Sequence, residues 1–79
     1  MEIKILGTGC PKCKRLEELA REAAAEVGVE ATFTKVNTMD GIMAYNVTTT
    51  PALVIDEVVK SSGRMPHKDE IKGWIQATQ

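Results

Sequence analysis

Two cysteines, Cys10 and Cys13, are the residues of this 79-residue chain best suited to chemistry, because they are its only thiols and lie three positions apart. On the first turn of a helix, residues at this spacing share a face, so the two sulfurs can meet. A disulfide between them closes a very small ring, which contributes little stability through loop entropy. Its oxidised and reduced forms can therefore lie close in free energy, as redox cycling requires.

The start of a predicted helix makes the two thiols unequal. Pro11 suits the first helical position, which places Cys10 at the N-cap and Cys13 inside the first turn. Unpaired backbone N–H groups and the helix dipole favour a thiolate at the cap. We therefore predict that Cys10 attacks a disulfide of another molecule, and that the less exposed Cys13 resolves the mixed disulfide.

Metal binding is the main alternative for the same pair of thiols. Soft thiolates select Cu(I), so a Cu(I) or other soft-metal module that uses Cys10 and Cys13 stays open. A structural zinc site needs about four ligands, and the chain offers one histidine, His67, beside scattered carboxylates. A third possibility is a redox-inert interaction domain in which the pair is only structural.

Short elements alternate along the chain and must position the thiols. Apolar residues at helical spacing predict one long helix after Cys10, and β-branched or apolar runs predict strands before it and after it. The expected elements are a strand at 3–6, a helix from 11 to 27, a strand at 30–36, a short helix near 39–45, a strand at 52–55, a hairpin strand from 58, and a helix from about 66. The order β-α-β-α-β-β-α predicts an α/β fold. It is one domain over residues 1–79, with a four-stranded mixed sheet and helices on both faces.

Two details of the short second helix are left as alternatives. Either Asn37 or Thr38 can cap it. Met39 and Met43 either fill the core, which is the expected role, or line a surface for a partner.

Charge and hydropathy exclude two classes of partner. The net charge is −1, and no basic stripe of the kind that binds nucleic acid is present. The longest apolar runs have four or five residues, too short to span a membrane, and the first residues lack the apolar stretch of a signal peptide. The sequence therefore predicts a cytoplasmic protein, in a compartment where thiols are kept reduced.

A second motif, Thr50-Pro51, opens the apolar strand at 52–55. The segments that carry a family resemblance are Gly7-Thr8-Gly9-Cys10-Pro11-Lys12-Cys13 and Thr50-Pro51-Ala52-Leu53-Val54-Ile55-Asp56. Together they resemble the thioredoxin superfamily. The closer likeness is to its glutaredoxin-like small redox-active disulfide proteins of archaea and bacteria, over essentially the whole chain.

The resemblance implies dithiol–disulfide exchange with disulfide-containing client proteins, with electrons from a thioredoxin-reductase-like disulfide reductase and no cofactor beyond the Cys10–Cys13 disulfide. It implies a cis Pro51 against the cysteine pair. It also implies that the Thr50 backbone bonds an extended client segment, and that Gly63 leaves room at the edge of this groove.

The loop residues Gly9, Pro11 and Lys12 complete the expected client-binding set. Lys12 either selects acidic partners or is only a solvated charge.

Three features of the sequence depart from the family pattern: two single residues and one segment. Gly9 stands where thioredoxins usually have tryptophan, and Lys4 stands where many have a buried acid that assists the second thiol. Proton transfer from Cys13 is therefore left to water. Ser61-Ser62-Gly63 replaces the paired glycines of glutaredoxins, so glutathione binding is not expected.

Overall fold

The computed structural model describes residues 1–9 and 11–78. Its elements follow the predicted order: β1 (Glu2–Leu6), α1 (Pro11–Val27), β2 (Thr32–Val36), α2 (Met39–Met43), β3 (Ala52–Ile55), β4 (Val58–Ser62) and α3 (Lys68–Thr78). The α/β class is therefore confirmed. Helix α1 begins at Pro11, as its fixed φ favours.

One mixed sheet holds the four strands in the order β2-β1-β3-β4. The central strand β1 pairs in parallel with β2 and antiparallel with β3, and β3 continues antiparallel to β4. All four residues of β3 are fully buried, which confirms that this apolar strand is covered on both faces. Strand β1 ends at Leu6, four positions before Cys10 in the sequence.

Apolar side chains form one cluster on each face of the sheet. The larger cluster packs α1 and α3 against one face through residues such as Ile5, Leu16 and Ile71. The smaller cluster sets Ile42 of α2 against Leu6 and the opposite face. Successive residues of a strand point to opposite faces, so β1 supplies both clusters. Helices on both faces are thus confirmed.

One of the two predicted caps of α2 is observed, and two strand ends are now defined. Thr38 is the cap of α2, because its Oγ1 accepts a hydrogen bond of 3.1 Å from the Gly41 N–H. Strand β2 starts two residues later than predicted, at Thr32, and β4 extends to Ser62.

The core role expected of Met39 and Met43 is wrong, since their side chains are 65% and 61% exposed. Within residues 1–9 and 11–78, no helix has the length and apolarity needed to cross a membrane.

Candidate functional site

The start of α1 carries the predicted cysteine motif. Cys10 lies outside the described residues, so its position and its role as attacking thiol stay predictions. Its neighbours Gly9, Pro11 and Lys12 are exposed, where an approaching molecule can reach them. No acidic residue lies in the first turn of α1, so no carboxylate of that turn opposes the positive potential of the helix start.

Cys13 sits beneath this loop. It is the third residue of α1 and is only 5% exposed, as predicted for the less accessible thiol. Its Sγ packs against Gly7 so closely that a Cβ at position 7 would overlap the sulfur, and that Cβ would also lie 3.9 Å from the Thr50 Cβ. Gly7 therefore allows the end of β1, the second thiol and the Thr50 loop to meet.

The Thr50–Pro51 peptide bond is cis, as the resemblance implies. Pro51 is buried and Thr50 is exposed. The Pro51 carbonyl accepts a hydrogen bond of 2.9 Å from the Gly63 N–H. The structure thus brings Cys13 and Thr50 to one place and ties Pro51 to the end of β4.

The backbone conformation and the surroundings of Gly63 both require glycine at this position. Its φ is +71°, and a Cβ there would stand 2.5 Å from the Thr49 Oγ1. Glycine is required because the backbone conformation is left-handed and the side-chain space is taken. Gly63 thereby lies against the loop before Pro51, next to Thr49.

An apolar cleft opens beside this loop, with a volume of about 330 Å³. It is lined by Thr8, Met39, Ile42, Met43, Val47, Thr48 and Thr50. The two exposed methionines are part of its wall, so α2 faces the site with adaptable apolar side chains. Among the described residues, none of the side chains that line this cleft is charged.

A second, much smaller cavity of about 20 Å³ adjoins Cys13. Its wall is formed by Ile5, Gly7, Gly9, Cys13, Lys14 and Lys35. Lys35 also forms an ion pair of 3.0 Å with Glu17. Hydrogen bonds from Lys35 and then Arg21 hold the pKa of the Glu17 carboxyl below its usual range, against the opposing effect of burial.

Lys4 does not take part in the site. Its Nζ donates to the Tyr45 hydroxyl at 2.7 Å and to Glu57 at 2.5 Å, on the face that α2 covers. The hydrogen bonds to Glu57, Tyr45 and Glu2 raise the pKa of Lys4 well above its usual range. Lys4 is therefore a structural cation that joins β1 to Tyr45 and Glu57.

Sequence reasoning missed Gly7 and the Lys35–Glu17 pair as parts of the site. For Gly7, a glycine directly after a strand and three residues before the first cysteine was an available signal, because such positions allow close backbone approach. Lys35 had no local signal, since it reaches the cavity only through the pairing of β2 with β1, where it stands opposite Ile5.

The metal-binding alternative requires further ligands beside the thiols. In the described part of the chain, no group of three or more His, Cys, Asp or Glu side chains is placed to hold a metal ion. The family comparison below gives no support to the metal-binding alternative.

Comparison with known proteins gives a consistent family. The sequence model of the thioredoxin domain matches residues 1–76. A thioredoxin of Methanothermobacter thermautotrophicus is 46% identical over 72 residues, which cover 91% of this chain and 94% of that protein. A thioredoxin of Methanocaldococcus jannaschii is 39% identical over 75 residues, covering 95% of this chain and 86% of that protein. Family match and fold agree: the chain belongs to the thioredoxin domain family and is a thioredoxin-like redox protein.

Proposed function

We propose that this protein is a protein-disulfide oxidoreductase that reduces or exchanges disulfides of other proteins, with Cys10 as nucleophile and Cys13 as resolving thiol. The observation that carries the proposal is the meeting of Cys13, Gly7 and the Thr50–Pro51 loop at the start of α1. A buried second thiol, a helix start and an exposed loop edge are the parts that dithiol exchange needs.

The first step is attack by the Cys10 thiolate on a client disulfide. One client sulfur forms a new S–S bond with Cys10, and the other leaves as a thiolate that takes a proton from solvent. The orphan N–H groups at the start of α1 and the helix dipole stabilise the attacking anion.

The second step is attack by Cys13 on the mixed disulfide. Its thiol proton is released, a Cys10–Cys13 bond forms, and the second client sulfur leaves as a thiolate. The client gains two electrons and this protein loses two. A disulfide reductase returns them by a further exchange, and the protein works in the cytoplasm, where such reduction is sustained.

The loop before Pro51 is proposed as the client-binding edge. Thr50 is exposed beside Cys13, so its backbone is available to an extended segment in the manner of strand addition. The neighbouring cleft is apolar and can accept an apolar client side chain. Gly9, Pro11 and Lys12 are exposed and complete the proposed edge, and the Gly63 N–H donates a hydrogen bond to the Pro51 carbonyl.

Insulin reduction by dithiothreitol tests the activity. The protein should accelerate it, and both Cys10→Ser and Cys13→Ser should bring the rate down to that of dithiothreitol alone, because each removes one half of the dithiol. Turbidity from the precipitating insulin chain gives the rate.

The two serine variants also test the assignment of roles. Cys13→Ser should accumulate a mixed disulfide with client on Cys10, since the resolving thiol is gone, and Cys10→Ser should accumulate none. Equal insulin rates for the native protein and Cys10→Ser would overturn the proposed function.

A further inference from the structure

Met39 and Met43 stand on the exposed side of α2. Their side chains are 65% and 61% exposed, in a helix whose Ile42 is buried in the smaller apolar cluster. They are four positions apart, so they share one face of the helix. The other two methionines of the chain, Met1 and Met65, are partly buried and pack against the larger apolar cluster. The four methionines therefore differ in how freely a small solute reaches the sulfur.

Met43 lies between two adjoining cavities. The cleft of about 330 Å³ beside Thr50 has both Met39 and Met43 in its wall. A neighbouring cavity of about 170 Å³ is lined by Met43, Asn46, Val47 and Thr48, of which all but Asn46 also line the cleft. The two cavities therefore form one groove along α2. Met43 belongs to both parts of this groove, whereas Met39 belongs to the cleft alone.

The wall of this groove is uncharged in the part of the chain that the structure describes. Thr50, at which a client segment is proposed to bind, lines the same groove. The role argued for the methionines rests on this proposed function, and the occupant of the groove is an apolar side chain of the client segment. A flexible thioether adapts to side chains of different shapes. Client affinity therefore depends on a wall that stays apolar.

A hydroperoxide such as hydrogen peroxide can change the polarity of this wall. The methionine sulfur attacks one peroxide oxygen, so an S–O bond forms while the O–O bond breaks. The sulfur loses two electrons and the peroxide gains them. The hydroxide that leaves takes the proton of the transferred oxygen and becomes water. The product, methionine sulfoxide, is polar and disrupts apolar surfaces that depend on methionine.

We propose that Met39 and Met43 are oxidation sites for hydroperoxides, and that their sulfoxides lower the affinity of the groove for client proteins. Helix α2 stays in place, because Ile42 and the Thr38 cap hold it, and the change is in the polarity of the wall. Met43 has the larger effect, because it lines both cavities. The modification leaves the two thiols unaltered, so it weakens client binding and preserves the exchange chemistry.

Peptide mapping by mass spectrometry tests the order of oxidation without any redox activity of the thiols. A variant with both Cys10→Ser and Cys13→Ser is treated with dilute hydrogen peroxide for increasing times, so that no thiol competes for the oxidant. Tandem spectra should show sulfoxide first at Met39 and Met43, and several-fold more slowly at the two methionines that are partly buried. Equal rates at all four methionines would overturn the proposal.

Insulin reduction measures the consequence for a client. The native protein is converted to the Cys10–Cys13 disulfide to protect the thiols, treated with peroxide and then reduced again, and mass spectrometry verifies the two sulfoxides. The KM for insulin should rise about fivefold, the low end of the cost of placing an unpaired polar group in an apolar site, while kcat stays unchanged. Methionine sulfoxide reductases should restore the native KM. An unchanged KM with both sulfoxides formed would overturn the proposal.

Each leucine variant is compared with itself before and after oxidation, so the measured quantity is the ratio of the two KM values. Leucine has a volume close to that of methionine but no sulfur to oxidise. Met43→Leu should bring the ratio closer to one than Met39→Leu does, and the double variant should bring it to one. A ratio in the double variant as large as that of the native protein would contradict the proposal.

Met65→Leu is the matched control, because Met65 packs against the larger cluster on the other face of the sheet. It should keep the ratio of the native protein, and a ratio of one in this variant would count against the groove. The urea midpoint of the native protein should also be unchanged by the two sulfoxides, since both sites are exposed. A lower midpoint would show that oxidation acts through the fold and would overturn the assignment.

The two measurements separate failure of this inference from failure of the proposed function. A native protein that does not accelerate insulin reduction before oxidation would count against disulfide exchange itself, while the peptide map would still decide the order of oxidation. Normal insulin reduction with a KM that oxidation does not change would count against the methionines alone.

Discussion

Cys13 and Gly7 approach each other so closely that position 7 has no space for a side chain. The contact joins the end of β1 to the first turn of α1, and it sets the depth at which the second thiol lies. The residue type at position 7 is therefore dictated by the site and not by a turn conformation.

Gly7→Ala should destabilise the protein by about 1–3 kcal/mol, the usual cost of overpacking a filled interior, and should slow insulin reduction by displacing Cys13. Urea unfolding and the turbidity assay measure the two effects.

Gly73→Ala is the control for this change, because a Cβ at position 73 of α3 meets no atom within 4 Å. It should leave activity unchanged and raise stability by up to ~1 kcal/mol through helix propensity. Native stability and activity for Gly7→Ala would contradict the close contact.

At the scale of elements, the site depends on two loops, and each loop contacts another element of the fold. The loop after β1 is set by Gly7 against Cys13, and the loop before β3 is tied to the end of β4 by the Gly63–Pro51 hydrogen bond. Helix α2, capped by Thr38, turns its exposed methionines toward the cleft beside these loops. The first loop is thus held against α1 and the second against the end of β4.

Gly63→Ala should cost about 1–3 kcal/mol, since it forces a non-glycine residue into a left-handed conformation and crowds Thr49. Urea unfolding measures the cost, and the insulin assay shows whether the shifted loop also lowers client reduction.

A Thr49→Ala background removes the Oγ1 that a Cβ on residue 63 would meet, but it does not relieve the φ of +71°. Gly63→Ala should therefore cost less in that background than in the native protein. An equal cost in both backgrounds would show that the steric contact with the Thr49 Oγ1 contributes nothing.

At the scale of the whole molecule, ion pairs join elements that the two apolar clusters already pack. Glu26 of α1 pairs with Lys68 and Lys72 of α3, and Glu17 links α1 to β2 through Lys35. The cations lower the pKa of both carboxyls. The same holds for Glu57 beside Lys4 and for Glu70 beside Arg64.

Stability should fall in acid as a result. Each of these carboxyls has a folded pKa below its ordinary value of 4.5, so its contribution is present above that value and is lost as the pH falls through the folded pKa. The urea midpoint should therefore drop between about pH 5 and about pH 3.

Added salt should reduce the drop in urea midpoint between about pH 5 and about pH 3. The reason is that the ion pairs are largely exposed, so salt screens them. Glu26→Gln should flatten part of the acid dependence, since it removes one of the titrating groups. A urea midpoint that does not change over this pH range would contradict the prediction.

The sequence by itself determined the order of elements, the buried strand β3, the start of α1 at Pro11 and the burial of Cys13. These features depend on residues close together along the chain: helical and strand periodicity, a proline at the first turn, and a continuous apolar run. The family resemblance added the cis bond before Pro51, which no local pattern distinguishes from trans.

Only the tertiary structure decided what surrounds the second thiol. Gly7 lies against Cys13, Lys35 reaches the same cavity, and Gly63 supports the Thr50–Pro51 loop, because the sheet register brings residues from four separate segments together. The exposure of Met39 and Met43 has the same origin, since a short amphipathic pattern shows which residues are apolar but not which of them another element covers. The two cysteines were visible in the sequence; the contact of Gly7 with Cys13 was not.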